Sequence, residues 1–279
     1  MNNRFNNWKH NACHSLFDKR IGRVPSGKTY VCLTFDTEED WNYDSDQNTN
    51  IYFNSYRYIS SYAFNELLDG LYDRDISATF YLTLGMAKLG ETLKYLVKKK
   101  HNIGVHVHPH NFKNTVYPYY TIVDGDRLTD YNLETQKEWM EITKRQIEST
   151  IGHPVHLFRS GKLACNNETE RAAKLAGFKA ISNHSGISYN RYLRLWNLGV
   201  GAQDIFDFQT YSDLAKYINL LNSHNESIII FSAHPMMLYD YKNSCIRQHQ
   251  LKTFFKFIDY IISRDIAFLN QEQLLYLLE

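Results

Sequence analysis

The sequence predicts an α/β fold: a distorted (β/α) barrel with about seven parallel strands. Short apolar, β-branched runs alternate with helical stretches along the chain, polar clusters follow several of those runs, and no nucleotide-binding glycine loop breaks the pattern. The 279 residues are 43% hydrophobic and 15% aromatic, enough for one full core. A single domain over 1–279, with its core at about 30–269, is therefore expected.

Residues 30–35 read as a buried strand that runs into the acidic stretch 36–40. Residues 55–72 carry apolar side chains at helical spacing, and 76–83 are strand-like again, closing with Gly85. A helix follows at 86–100, whose lysine-rich last turn suits the macrodipole, and then a strand at 102–106. Periodicity disappears from 109 to 131, which reads as a substrate-facing loop. Beyond it come a helix at 133–150, a strand at 155–158, a helix at 168–176 stopped by Gly177, and a strand at 178–182. Strands at 193–198, 227–232 and 266–269, helices at 212–223 and 247–263, and a terminal helix complete the alternation. In barrels built this way, catalytic residues sit at the C-terminal ends of strands.

Lys and Arg number 31 against 30 Asp and Glu, so the formal charge of +1 offers no broad field to nucleic acid or an anionic membrane. Residues 1–23 lack the apolar run of a signal peptide, and no segment approaches the ~20 apolar residues of a membrane span. A soluble, cytoplasmic protein without nucleic-acid partners is the expectation. Cys13, Cys32, Cys165 and Cys245 lie far apart without a CxxC pattern, which predicts ordinary reduced thiols. The 21 Tyr and 16 Phe are core and rim material first, and sugar-stacking surfaces second.

The chemistry gathers at strand ends. Asp36, Glu38, Glu39 and Asp40 bring carboxylates to one spot, and packed like charges call for a metal ion or a shared proton. Standing alone, such a run is more often a solvated turn. His106, His108 and His110 can turn more than one imidazole toward a divalent ion, and zinc commonly takes His nitrogen with carboxylate oxygen. Side chains alternate along a strand, so His106 and His108 would share a face. Arg159 and His234 end two further strands; singly, each reads as a surface ion pair or a structural histidine. Together, the four elements would converge on one face of a barrel.

In this order the motifs resemble those of the polysaccharide deacetylase family, the NodB-homology or carbohydrate esterase family 4 proteins. Leu33-Thr34-Phe35-Asp36 is similar to the family's first motif, and Ser77-Ala78-Thr79-Phe80-Tyr81 to its second strand. His106 to His110 is similar to its HxxxH metal motif, Phe158-Arg159 to its Arg-bearing motif, and residues 230–235 to the strand ending in its catalytic His. The resemblance implies Asp36 as general base, Glu38, His106 and His110 as metal ligands with His108 as the alternative, Arg159 as partner of the base, and His234 as general acid. Where the family usually has two adjacent aspartates and a Gly, Thr37 follows Asp36 and Glu38 comes next, as in a variant branch with an Asp-x-Glu first motif. Asp204 or Asp207 would replace the family's Asp that tunes the catalytic His.

The resemblance further implies a divalent metal, zinc ahead of nickel, cobalt or manganese. The implied activity is hydrolytic removal of N-acetyl (acyl) groups from an amino sugar or polysaccharide precursor. An amidase or esterase of the same fold acting on a small non-sugar substrate, or a non-catalytic glycan-binding relative, are the alternatives.

Overall fold

The apolar residues 30–35 are covered on both sides, as in a parallel sheet flanked by helices, and they extend into β1 (Tyr30–Thr37), buried along its whole length. A computed structural model of the chain describes residues 29–44, 49–52, 55–115, 126–201, 205–207 and 228–279. After β1 comes a hairpin of β2 (Trp41–Asp44) and β3 (Thr49–Tyr52). The sheet continues with β4 (Thr79–Leu82), β5 (Asn102–Val107), β6 (Leu157–Ser160), β7 (Ala180–Ile181), β8 (Ile187–Asn190), β9 (Leu195–Leu198) and β10 (Ile228–Ala233). A small ribbon, β11 (Tyr239–Asp240) with β12 (Cys245–Ile246), and the short β13 (Ala267–Phe268) follow.

The main sheet runs in the order β10-β1-β4-β5-β6-β7-β9-β8, with β13 added beside β1. Each neighbouring pair is parallel except β8 with β9. The result is a curled, mostly parallel half-barrel surrounded by helices, the architecture expected from the alternation.

The two-residue period of a strand sorts β1 into two environments. Val31, Leu33 and Phe35 join the large cluster between sheet and helices. Cys32 faces the concave side with Tyr81, Leu157, Ala180, Leu198 and Ile230, where Leu274, Leu275 and Leu278 of the C-terminal helix Gln271–Leu278 cover it. Thr34 and Asp36 continue along this concave row. Gly104 leaves room there, because a Cβ at that position would lie 2.6 Å from the Tyr81 ring. On the convex side the helix Leu133–Ile151 buries Gln136, Trp139, Met140, Thr143 and Ile147 at helical spacing. Its Asn132 cap accepts from the Thr135 N–H, and Gly152 closes it at φ 79.

Some expected elements take other bounds. The stretch 55–72 forms two helices, Arg57–Ser60 and Ala63–Tyr72, separated at Tyr62, whose φ of 66 a continuous helix does not allow. The stretch 86–100 becomes Leu84–Ala87 and Gly90–Lys98. The strand expected at 193–198 is β9, and its hairpin partner β8 carries no separate signal in the sequence. Within the expected loop 109–131, residues His110–Thr115 are helical. Residues 1–23 with Cys13, Asp204 and the helix expected at 212–223 lie outside the described residues. Among the described residues, no helix is long and apolar enough to cross a membrane.

Candidate metal and acid–base site

The acidic run at the end of β1 is shared out among four sets of partners. Asp36 meets Arg159, whose Nη1 donates to its Oδ1 at 2.5 Å. The Arg159 guanidinium is fully buried. Its Nη2 donates to Thr34 Oγ1 at 2.9 Å and to Ser182 Oγ at 2.7 Å, its Nε donates to the Ser182 carbonyl at 3.2 Å, and its plane lies 4.2 Å from the Tyr81 ring centroid. Burial would raise the Asp36 carboxyl, but Arg159, with His106 and His234 behind it, outweighs this and holds it below the usual carboxylate range. Asp36 is therefore ionised at neutral pH.

Glu39 takes the Thr83 hydroxyl at 3.1 Å and the Tyr56 hydroxyl at 3.3 Å. Asp40 accepts from Ser55 Oγ at 2.7 Å, the Arg57 N–H at 3.0 Å and the Tyr241 hydroxyl at 2.7 Å. Both carboxylates brace the loop after β1 and hold its shape.

Glu38 is the one that meets histidines. Its Oε1 lies 3.0 Å from His106 Nε2, 3.3 Å from His108 Nε2 and 3.6 Å from His234 Nε2. Burial would raise this carboxyl too, yet the charge of His108 and the close approach of the three imidazoles hold it well below the usual range. His106 and His108 reach it together because they alternate onto one face of the strand end. His234 follows β10, remains 22% exposed, and sits edge-on to Trp41 with ring centroids 5.7 Å apart.

His110 is placed differently. Pro109 breaks the strand, His110 opens a short helix, and its Nδ1 lies 3.0 Å from Asp126 Oδ1, on the far side of His108 from Glu38. Asp126 also bonds His108 Nδ1 through its other oxygen. The geometry thus gathers Glu38, His106 and His108 in one group, and His108, His110 and Asp126 in an adjoining one. A third group joins Asp36, Glu38 and His234. Of the two candidates for the tuning carboxylate, Asp207 falls in the short turn Ile205–Asp207. Asp126 itself was missed in the sequence, because it stands in an aperiodic stretch 18 residues from the His108 it orients.

The donors fit a divalent transition metal. His106 Nδ1 lies 3.0 Å from the Arg159 carbonyl oxygen, which can only accept, so the hydrogen is assigned to Nδ1 and Nε2 presents a lone pair. That lone pair faces a carboxylate oxygen at 3.0 Å, and two acceptors approach so closely only with a proton or a cation between them. Burial would lower the His108 imidazole, but Asp126 and Glu38 outweigh it and raise it to about 10. The spot is thus built to hold positive charge. Backbone carbonyl and carboxylate partners on the remote ring nitrogens are the arrangement that orients metal-binding imidazoles.

The family model for polysaccharide deacetylases matches residues 23–181. A Mycobacterium smegmatis protein assigned as a polysaccharide deacetylase superposes at a TM-score of 0.63 and 14% identity, over 91% of this chain and 92% of that one. The family 4 carbohydrate esterase of Streptomyces lividans, solved with acetate, superposes at 0.53 and 12% identity, over 86% and 91%. A carbohydrate esterase family 4 pseudoenzyme from Bacillus anthracis does so at 0.53 and 15% identity, over 89% and 66%. At these identities the likeness is one of fold. Curated protein sequences give no match. The family model covers more than half of the chain, and on that ground this chain belongs to the polysaccharide deacetylase family.

Proposed function

We propose that this chain is a metal-dependent hydrolase that removes N-acetyl groups from an amino sugar or polysaccharide precursor. The observation that carries this reading is the pairing of the Asp36–Arg159 couple with a Glu38 carboxylate ringed by three imidazoles, on one end of the sheet. Glu38, His106 and His108 would hold the ion, zinc being the best match to nitrogen and carboxylate donors. His110, expected from the family spacing to be a ligand, acts here through Asp126 on His108. A bound divalent ion supplies Lewis acidity toward the attacking water and the acyl carbonyl.

The protein's own groups do the proton work. Asp36 accepts the proton of the attacking water, and Arg159 keeps that carboxylate ionised and fixed in direction. Breakdown of the tetrahedral adduct needs a proton on the departing amine, and His234 stands on the exposed side of the cluster to give it. The products are acetate and a free amino sugar.

Metal analysis of the purified protein, with acetate release measured over N-acetylated monosaccharides, nucleotide-linked sugars and oligomers, tests the reading. Supplemented protein that holds no metal, and whose melting temperature ignores chelation, would refute the metal assignment. Metal-loaded protein that binds these sugars without releasing acetate would make it a glycan-binding relative. His108→Ala should lose the metal while His110→Ala keeps most of it; the opposite pattern returns the ligand role to His110.

A further inference from the structure

Away from the Glu38 cluster, a second group of ligand-type side chains meets at the ends of β6 and β7. Cys165 precedes the helix Asn167–Leu175, Glu170 lies at the end of its first turn, and His184 follows β7. Their Sγ, carboxylate and imidazole atoms all lie within 4.8 Å of one another. We propose that Cys165, Glu170 and His184 form a second transition-metal site, thiolate, carboxylate and imidazole, suited to zinc.

The sequence positions are informative. With Asn166 as the N-cap, Cys165 and Glu170 occupy the two places that meet across a helix start, where an apolar pair usually packs. Here a thiol and a carboxylate fill them, and both are buried. A buried carboxylate needs compensating charge, which the His184 Nε2 at 3.0 Å supplies only when protonated. A divalent ion bound by all three groups neutralises the carboxylate and the thiolate together, releasing the thiol proton.

The frame around the group is rigid. Asn190 Nδ2 holds the other Glu170 oxygen at 3.1 Å. Asn197 clamps the His184 backbone from both sides, its Oδ1 accepting from the N–H at 3.1 Å and its Nδ2 donating to the carbonyl at 3.2 Å. Gly199 packs against the same carbonyl so closely that a Cβ would lie 1.7 Å from the oxygen. A capping box between Asn166 and Thr169 fixes the helix start. Ligands braced by such partners are what a metal site requires. Three protein donors leave a fourth tetrahedral position to water.

The test uses cobalt as the probe. The Glu38 cluster contains no sulfur, so a sulfur-to-cobalt charge-transfer band reports the second site alone. Full-length protein with Cys13 and Cys245 changed to Ser, stripped and titrated with Co²⁺, should take up two ions per chain and show the band. Cys32 does not compete, since burial pushes its thiol up to about 12. Adding Cys165→Ser should abolish the band and one equivalent of cobalt, and His184→Gln should shift or weaken it, with far-ultraviolet circular dichroism unchanged. Replacing Glu38 and His106 should remove the other equivalent and leave the band. Absence of the band in folded, cobalt-saturated protein overturns the proposal, as does a band that survives Cys165→Ser. If one variant does not fold, the other decides.

Discussion

Gly161→Ala changes no proposed ligand, yet it should loosen the metal. Gly161 follows β6, and a Cβ there would stand 2.4 Å from His108 Cε1 and 2.5 Å from each ring nitrogen. Ordinary contact begins at 3.4 Å, so the imidazole must retreat by about 1 Å. It has little freedom to do so. Its Nδ1 is tied to Asp126, and the ring is wedged between His106 and His110, with centroids 4.8 and 5.1 Å away. A shift of that size disturbs the 3.3 Å spacing of His108 Nε2 and Glu38 Oε1 that suits two donors on one ion. A perturbation of this kind weakens metal binding by roughly 10–100-fold, an effect of about 1.4–2.7 kcal/mol. Competition with a chromophoric chelator measures the affinity. Gly90→Ala is the control, since its Cβ would meet only Thr150 Cγ2 at 3.9 Å. Wild-type affinity in folded Gly161→Ala would refute the placement of His108 on the metal.

Three further outcomes are expected. His234→Ala should keep metal and melting temperature while acetate release falls by roughly 10²–10⁴-fold, the usual contribution of a positioned general acid; near-normal turnover would remove His234 from the chemistry. Asp36→Asn should fold, lose turnover, and lose stability on the order of 3 kcal/mol, because Arg159 is left as a buried charge without its counter-charge; denaturant unfolding checks this. His101 is buried, accepts the Ala78 N–H on Nδ1, and is held down to about 4 by burial, from the usual 6.5. The unfolded chain therefore binds this proton first as pH falls, and the folded chain should lose about 2 kcal/mol between pH 7 and pH 5 through this residue. Urea unfolding of wild type and His101→Gln at both pH values would show the dependence flattened in the variant; an equal loss in both would exclude His101 as its source.

Much of the scaffold could be read in the chain itself, because strand and helix periods are local. The run 30–35, the alternation that follows it, and the polar residues ending successive strands lead to a parallel half-barrel with Asp36, His106, Arg159 and His234 at one end. The same two-residue period places His106 and His108 on one face. Hydrophobic pattern could not say where the acidic run would divide. Glu39 and Asp40 have the chemistry of Glu38 but are taken by Thr83, Tyr56, Ser55, Arg57 and Tyr241, whose approach depends on how the loop after β1 folds back. Nor does spacing reveal that Pro109 turns His110 toward Asp126, or that Cys165 and His184, 19 residues apart in the chain, meet over Glu170. Periodicity is written by neighbours in sequence and survives translation into structure. Charge partners are chosen through space, among side chains that only the packed sheet and its loops bring within hydrogen-bond reach.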